Sequence, residues 1–237
     1  MLEIDIASKT YPTAGGPPLL AIEGLRFAVP DGEFACLVGP SGCGKTTCLR
    51  ILSGLERDFD GRFSLPEGEP RIGVAFQEPR LLPWRTVEEN VRLAQPAALR
   101  DRPLGDLFAR LGLAGFERFY PGELSLGLAR RAALARAFAV EPGLLLLDEP
   151  FVSLDEATAA DLRGLLLDVW QARPTTALMV THNPREAVQL ADRIIVLSAR
   201  PGHVRGEHAI AIARAERTPD MIAAIRRDLS RRFPGIV

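Results

Sequence analysis

Apolar and polar residues follow one another at several spacings along this chain, and each spacing predicts a type of secondary structure. The N-terminus alternates the two kinds, and residues 2–35 are interrupted by the turn-rich segments Thr13–Pro18 and Pro30–Glu33, which predicts short strands. Later runs are mainly apolar, as in strands buried on both faces of a parallel sheet. These runs are Phe34–Val38, Arg71–Phe76, Gly143–Asp148, Thr176–Thr181 and Arg193–Ser198.

Helical spacing of apolar residues occurs between these runs. It predicts a helix at Leu49–Leu55 and mostly helical structure over residues 79–140. Several residues are typical of helix starts, either as N-caps or as a proline in the first turn. They are Thr86 with Glu89 as a capping box, Asp155, and Asn183 with Pro184.

Apolar strands that alternate with helices indicate an α/β fold with a parallel sheet covered on both faces. The helical block interrupts this rhythm, and we interpret residues 79–136 as an inserted helical subdomain. Residues 1–78 are then the first part of the core, with an N-terminal antiparallel β subdomain, and residues 137–217 are the second part. Residues 218–237 are predicted to form a short C-terminal helix.

Length, charge and cysteine content exclude several classes of protein. The 237 residues suit one domain with a sizeable insertion, and 29 basic against 30 acidic residues argue against nucleic-acid binding. No apolar stretch approaches the roughly 18 residues of a membrane-spanning helix, and the N-terminus does not resemble a signal peptide. Cys36, Cys43 and Cys48 lack His partners at zinc-ligand spacing, so we expect reduced thiols in an intracellular protein.

Only two of the 29 basic residues are lysines, Lys9 and Lys45. Lys45 ends the segment that fits G-x-x-x-x-G-K-[ST] between a predicted strand and helix. Its glycines let backbone N–H groups converge on phosphate oxygens, Lys45 supplies a compact cation, and the Thr46 hydroxyl is a candidate Mg²⁺ ligand. The candidate nucleotide-binding residues are Gly39, Pro40, Ser41, Gly42, Cys43, Gly44, Lys45, Thr46 and Thr47.

A second phosphate-site signal is the apolar run that ends in Asp148 and Glu149. A buried strand that ends in a carboxylate places it at the ligand-binding edge of an open sheet. Asp148 is therefore a candidate for orienting Mg²⁺, and Glu149 for polarising an attacking water as general base. The two motifs predict a P-loop (RecA-like) nucleoside triphosphatase, and the absence of an Asn-Lys-x-Asp guanine reader argues against a GTPase.

The segment Glu123–Ala137 resembles the signature motif of the ATP-binding cassette (ABC) family, and the likeness extends over about residues 1–205. Ser125 and Gly127 match the signature, whereas Leu126 and Leu128 replace a glycine and a glutamine. The resemblance implies that Ser125 and Gly127 act in trans on the γ-phosphate of ATP bound by a second subunit.

Other motifs of the family follow in the expected order, and their roles are implied by the resemblance. Gln77 is similar to the glutamine that reaches Mg²⁺ and the attacking water, and His182 to the histidine that contacts the γ-phosphate. Ser153 and Asp155 resemble the D-loop at the subunit interface. Tyr11 stands where the family has an aromatic residue that stacks on adenine.

Three strings resemble importer ATPases of the nitrate/sulfonate/taurine group: FQEPRLLPWRTVEENV, LDEPFVSLD and LSARPG. The resemblance implies ATP and Mg²⁺ as cofactors and a homodimer on ATP binding. It also implies transmembrane permease subunits, a periplasmic solute-binding protein, no nucleic acid, and a peripheral position on the inner face of the cell membrane.

Several alternatives stay open from the sequence. The chain also resembles ATPases for lipid trafficking or pyrimidine precursors. Two further hypotheses are a soluble non-transport ABC ATPase and a cassette that binds ATP without turnover. Leu81, Leu82 and Trp84 fit either the inner face of the helical lobe or a groove for a permease helix. The arginines near Arg226 fit a solvated helix face, a partner contact or anionic lipid, and the sequence suggests no role for Lys9.

Overall fold

A computed structural model describes residues 1–66 and 70–235, so residues 67–69 and the last two residues of the predicted C-terminal segment lie outside the described part. The strands are β1 (Leu2–Tyr11), β2 (Leu19–Val29), β3 (Phe34–Val38), β4 (Asp60–Ser64), β5 (Ile72–Ala75), β6 (Leu144–Asp148), β7 (Thr176–Thr181), β8 (Arg193–Leu197) and β9 (Val204–Ala209). The α-helices are α1 (Lys45–Leu52), α2 (Val87–Ala94), α3 (Gly105–Arg110), α4 (Leu126–Ala139), α5 (Glu156–Ala172), α6 (Pro184–Leu190) and α7 (Pro219–Arg232).

Contacts within the chain define two compact units. The first unit contains residues 1–69 and 176–237, and the second contains residues 70–175. The division of the chain into four predicted segments stays a prediction beside these units.

The first unit contains an antiparallel sheet near the N-terminus. Its strand order is β2-β1-β4, with Leu2 opposite Val29 and Ile4 opposite Phe63. Buried and less buried positions alternate at the start of β1, so one face of this strand packs inward while the other meets polar surroundings.

The parallel strands of the first unit are built on β3, which lies between β7 and β8. Every residue of β3 and of β7 is buried, as expected for strands covered on both faces. Strand β9 adds to β8 in the antiparallel direction. The predicted start of α6 is confirmed, since Asn183 caps the helix and Pro184 follows in its first turn.

The second unit combines the parallel pair β5 and β6 with helices α2 to α5. The predicted capping box is present at α2, where Thr86 and Glu89 each hydrogen-bond to the other's backbone N–H. Asp155 caps α5, also as predicted. Leu134 and Phe138 of α4 are buried, so this helix contributes to the core.

The predicted α/β class, with its parallel sheet, antiparallel β part and helical block, is confirmed. Strands β4 and β9 are additional to the prediction. Among residues 1–66 and 70–235, no helix is both long enough and apolar enough to span a bilayer.

Candidate functional site

In the first unit, strand register brings two predicted site elements to the same edge. Val38, the last residue of β3, pairs with Thr181, the last residue of β7. The phosphate loop follows β3 and His182 follows β7, so both leave the sheet at neighbouring carboxyl ends. His182 is exposed, so its side chain is accessible to a ligand.

The turn after β7 is held by side chains of its own segment. The Thr181 hydroxyl donates to Glu186 at 2.7 Å and accepts from the Asn183 backbone N–H at 3.0 Å. The Asn183 amide donates to Glu186 at 3.1 Å. Since these bonds lie on both sides of His182, they fix the backbone from which its side chain projects.

The phosphate loop turns directly into helix α1 through Gly44. This residue has a φ of +98°, and an added Cβ would lie 2.9 Å from the Ala21 carbonyl oxygen. Only glycine combines that backbone angle with so close a neighbour. The first turn of α1 contains no acidic residue, so the partial positive charge of the helix N-terminus is not neutralised there.

Lys45 is enclosed by the loop that precedes it. Its ammonium donates to the carbonyl oxygens of Gly39 at 2.7 Å and Pro40 at 2.9 Å, and only 4% of the residue is exposed. A planar guanidinium is broader than this enclosure, because it carries its donors in a rigid fork. The chain therefore keeps a lysine here although arginine supplies nearly all its other positive charges.

A segment outside the predicted site packs against the phosphate loop. Gly202 donates its N–H to the Ala21 carbonyl at 3.0 Å, and an added Cβ at Gly202 would clash with the Cys43 carbonyl oxygen. The Arg200 guanidinium lies 3.9 Å from where a Gly42 side chain would begin. The sequence signal was the string LSARPG, which indicated a subfamily and carried no structural role.

In the second unit, two predicted residues lie at the carboxyl ends of neighbouring strands. Ala75 of β5 pairs with Leu147 of β6, so the next residues along each strand meet at the same carboxyl edge. Gln77 and Asp148 lie at this edge. Asp148 is 5% exposed and Gln77 is exposed, so this edge carries a buried carboxylate and an accessible amide.

Two predicted site residues have a left-handed backbone. Glu149 has a φ of +43° and Ser153 a φ of +63°. Such a conformation costs a non-glycine residue about 1–2 kcal/mol, and it is often kept where function requires it. Both residues lie in the seven-residue segment 149–155 that joins the acid-ended strand to α5.

The signature residues form the start of helix α4. The Ser125 hydroxyl accepts the Leu128 backbone N–H at 3.3 Å and caps the helix, while Gly127 lies in the first turn. Leu126 is the first helical residue and is 43% exposed. Helical backbone accepts leucine without strain, so the departure from glycine changes what the loop presents to solvent.

Asp155 has a structural role in addition to its predicted one. Its carboxylate accepts the Thr158 backbone N–H at 2.9 Å and the Thr158 hydroxyl at 2.6 Å. The hydrogen bonds from Thr158 hold the pKa of the Asp155 carboxyl below its ordinary value. The residue is exposed, so capping leaves part of the carboxylate accessible.

Tyr11 lies beside Lys9, whose ammonium also contacts two acidic residues. The Lys9 ammonium lies 4.7 Å from the centre of the Tyr11 ring, 3.2 Å from a Glu56 oxygen and 3.2 Å from an Asp58 carboxylate oxygen. Burial alone lowers the pKa of Lys9, but hydrogen bonds with the two acids outweigh it and raise the pKa above its ordinary value. Lys9 is 3% exposed and Tyr11 half-buried, so the lysine orients the ring from within.

A strand, a glycine-rich loop around a lysine and a helix, together with an acid-ended strand, define a P-loop nucleotide-binding protein. Residues 22–152 match the family model of the ABC transporter. The chain belongs to this family and is an ABC ATPase, so the resemblance found in the sequence is confirmed.

Proteins with similar sequences are named as importer subunits. The chain is 43% identical over 233 residues to the aliphatic sulfonates import ATP-binding protein SsuB 2 of Burkholderia lata, covering 96% of this chain and 84% of that protein. It is 45% identical over 204 residues to SsuB 1 of Pseudomonas aeruginosa, covering 81% of this chain and 82% of the relative. The resemblance to the nitrate/sulfonate/taurine group is therefore confirmed as a resemblance.

Solved structures of ABC cassettes share the fold. A dimeric bacterial ABC transporter cassette aligns with a TM-score of 0.76 at 28% identity, over 90% of this chain and all of the other. A dimeric post-hydrolysis state of an ATP-binding cassette bound to ADP and Pi aligns with a TM-score of 0.74, at the same identity and coverage.

Proposed function

We propose that this protein hydrolyses ATP to power the import of aliphatic sulfonates through separate membrane permease subunits. One observation carries the proposal: the sequence match to a sulfonate-import ATPase covers 96% of the chain and includes its phosphate loop. The loop's enclosed Lys45 supports the chemistry, since a compact ammonium among converging N–H groups suits the β- and γ-phosphates.

The site residues take separate roles in this proposal. The Thr46 hydroxyl, the Gln77 amide oxygen and the Asp148 carboxylate are oxygen donors of the kind that Mg²⁺ prefers. When bound, Mg²⁺ neutralises charge on the phosphates. Glu149 accepts a proton from the attacking water, and His182 contacts the γ-phosphate.

Tyr11 completes the ATP site in this proposal by stacking on adenine. Its ring is supported by Lys9, whose ammonium lies 4.7 Å from the ring centre. A ring fixed on one side offers a preformed surface to the base, which lowers the entropy lost on binding.

A second copy of the chain completes each site in this proposal. The Ser125 hydroxyl and the Gly127 N–H lie at the N-terminus of a 14-residue helix, where N–H groups and the helix dipole favour a phosphate. They act on ATP held by the partner copy, while Ser153 and Asp155 contact the interface. The dimeric state of both solved cassettes supports this arrangement for the chain.

The membrane partners are proposed on the names of the relatives and on one exposed aromatic residue. Trp84 is 70% exposed, with Leu81 and Leu82 half-buried beside it in sequence. We propose that this loop binds a short helix of the permease. The chain would then lie on the cytoplasmic face of the membrane, with a periplasmic solute-binding protein delivering the sulfonate and no nucleic acid involved.

The test combines turnover with growth. The purified chain is expected to release phosphate from ATP, and Lys45→Ala to lose nucleotide binding. A strain that lacks the gene should fail to grow on an alkanesulfonate as its only sulfur source and grow normally on sulfate.

Complementation with the wild type should restore growth on the sulfonate, and Lys45→Ala should not. Normal growth of the deletion strain on every sulfonate tried would reject the solute class. Stimulation of phosphate release by DNA, with none by a reconstituted permease, would favour a non-transport ATPase instead.

A further inference from the structure

The second unit contains a cavity that no predicted site residue lines. Its volume is about 320 Å³, within the range of small-molecule sites, roughly 300–1,000 Å³. Its apolar lining comes from α3, the C-terminal ends of α4 and α5, and the residue before α3. The apolar residues are Leu104, Leu107, Phe138, Ala139, Val169 and Ala172.

Arginines line the polar side of this cavity. Arg102, Arg110 and Arg173 contribute to its wall together with Glu141 and Asp106. Glu141 forms ion pairs with Arg102, with Arg173 at 2.9 Å, and with Arg71 at 3.4 Å. Three guanidinium groups therefore share one carboxylate.

The charge balance around the cavity is positive. Arg110 is matched by Asp168 at 2.9 Å, which leaves Arg102 and Arg173 of the wall, with Arg71 outside it, against the carboxylates of Glu141 and Asp106. The hydrogen bond from Arg173 holds the pKa of Glu141 below its ordinary value, so the carboxylate is already ionised and fully engaged. An added anion meets guanidinium donors that one carboxylate cannot saturate.

Gln95 provides a second, independent signal of a ligand. It lines the cavity and is only 3% exposed. Its amide nitrogen donates weakly to the Ala139 carbonyl at 3.5 Å, whereas its Oε1 has no hydrogen-bond partner among residues 1–66 and 70–235. A buried acceptor without a donor costs about 1–3 kcal/mol, and a ligand that donates a hydrogen bond removes that cost.

We propose that this cavity binds a small organic anion with a short aliphatic body and a hydroxyl or amino group. The anionic head pairs with Arg102 and Arg173, the aliphatic body packs on the apolar lining, and the donor bonds to Gln95 Oε1 after the buried amide turns toward the cavity. The proposal goes beyond ATP hydrolysis and transport, and it does not require either of them.

The test is a calorimetric titration of the full chain saturated with ADP, so that the phosphate loop is filled. The probes are 4-hydroxybutane-1-sulfonate, butane-1-sulfonate, sulfate and 1,4-butanediol. The hydroxysulfonate is expected to bind best, and sulfate and the diol on the order of tenfold more weakly, because each lacks one part of the complementary chemistry.

Two variants and a control locate the binding. Arg173 is 60% exposed, so Arg173→Gln should fold normally and lose on the order of tenfold in affinity for both sulfonates. Gln95→Met should abolish the preference for the hydroxysulfonate over butane-1-sulfonate. Arg118→Gln removes an exposed arginine of the same unit that does not line the cavity, and it should leave both affinities unchanged.

Equal binding of sulfate and hydroxysulfonate would overturn the proposal, as would equal effects of Arg173→Gln and Arg118→Gln. The result is independent of the proposed function. A chain that binds the hydroxysulfonate without hydrolysing ATP supports the cavity site, and an active ATPase that binds none of the probes rejects it.

Discussion

At the scale of single residues, both lysines of this arginine-rich chain are buried, but for different reasons. Lys45 is held by carbonyl oxygens of the phosphate loop, a setting that the sequence motif itself predicts. Lys9 is held by Glu56 and Asp58, which lie far along the chain. No local sequence pattern predicts such a contact, so the role of Lys9 could be recognised only from the structure.

The Lys9 cluster predicts a defined pH dependence. Burial alone raises the pKa of Glu56, but hydrogen bonds from Lys9 and the Asp58 N–H lower it overall. Because the pKa of Glu56 is lowered in the folded protein, its ionised carboxylate stabilises the fold at pH values above the ordinary pKa of 4.5. This stabilisation is lost as the pH falls below 4.5. Because the pKa of Lys9 is raised, its ammonium stabilises the fold at pH values below the ordinary pKa of 10.5. This stabilisation is lost at higher pH.

Lys9→Met should therefore destabilise the protein most between these two values, and the difference from wild type should shrink in acid. It should also raise the KM for ATP with little change in kcat, since Tyr11 loses support on one side of its ring. Urea unfolding at several pH values and steady-state kinetics measure the two effects. The control is Arg26→Met, which breaks an exposed ion pair in the same sheet and should change neither.

Gly202 predicts a second effect at the residue scale. In Gly202→Ala the new methyl group meets the Cys43 carbonyl, so either the turn or the phosphate loop must shift. We expect a lower melting temperature and weaker ATP binding, measured by calorimetry. Gly164→Ala adds the same methyl group within α5, where no atom of the described residues lies within 4 Å, and should stabilise by about 0.5–1 kcal/mol. Equal effects of the two substitutions would contradict this account of Gly202.

At the scale of elements, helix caps and buried strands could be predicted because their signals are local. The capping residues Thr86, Asp155 and Asn183 each bond to a backbone N–H two or three residues ahead. Strands β4 and β9 gave no such signal. Their residues are mostly polar and only partly buried, so their pairing with β1 and β8 depends on neighbours distant in sequence.

The cap of α4 allows a stabilising role of Ser125 to be separated from its proposed role in ATP hydrolysis. Ser125→Ala and Thr86→Ala each remove a side-chain cap from a helix of the second unit. Each should lower the free energy of unfolding by about 1 kcal/mol. Only Ser125→Ala should also lower the ATPase rate, because Thr86 lies outside the proposed site. Unfolding curves and phosphate-release rates, measured on the same preparations, compare the two variants. An equal loss of ATPase rate in both would mean that Ser125 acts only as a helix cap.

At the scale of the whole molecule, the predictable feature was that candidate site residues lie at the carboxyl ends of strands within each unit. Parallel strands share a carboxyl edge, which is where open sheets bind ligands, so residues that follow apolar runs were candidates for a site there. The sequence did not predict which strands are neighbours, since β3 lies between β7 and β8 and chain order differs from sheet order. Register then decides the pairs, such as Val38 with Thr181, that set His182 beside the phosphate loop.

The proposed two-copy site predicts that assembly depends on ATP and on the fate of its γ-phosphate. Glu149→Gln keeps the size of the side chain but removes the carboxylate that would accept a proton from water. ATP should then bind and hold two copies together, because the γ-phosphate bond, whose cleavage normally lets the copies separate, stays intact. Light scattering after size-exclusion chromatography should give a dimer with ATP and a monomer with ADP.

The matched control for this experiment adds Ser125→Ala to Glu149→Gln. It removes the hydroxyl proposed to contact the partner's ATP, so it should shift the ATP-bound protein toward monomer. If Glu149→Gln stays monomeric at saturating ATP while it still binds the nucleotide, the two-copy site is wrong. If the dimer persists unchanged in the double variant, Ser125 makes no contribution across the interface, and the helix N-terminus with Gly127 must hold the phosphate without it.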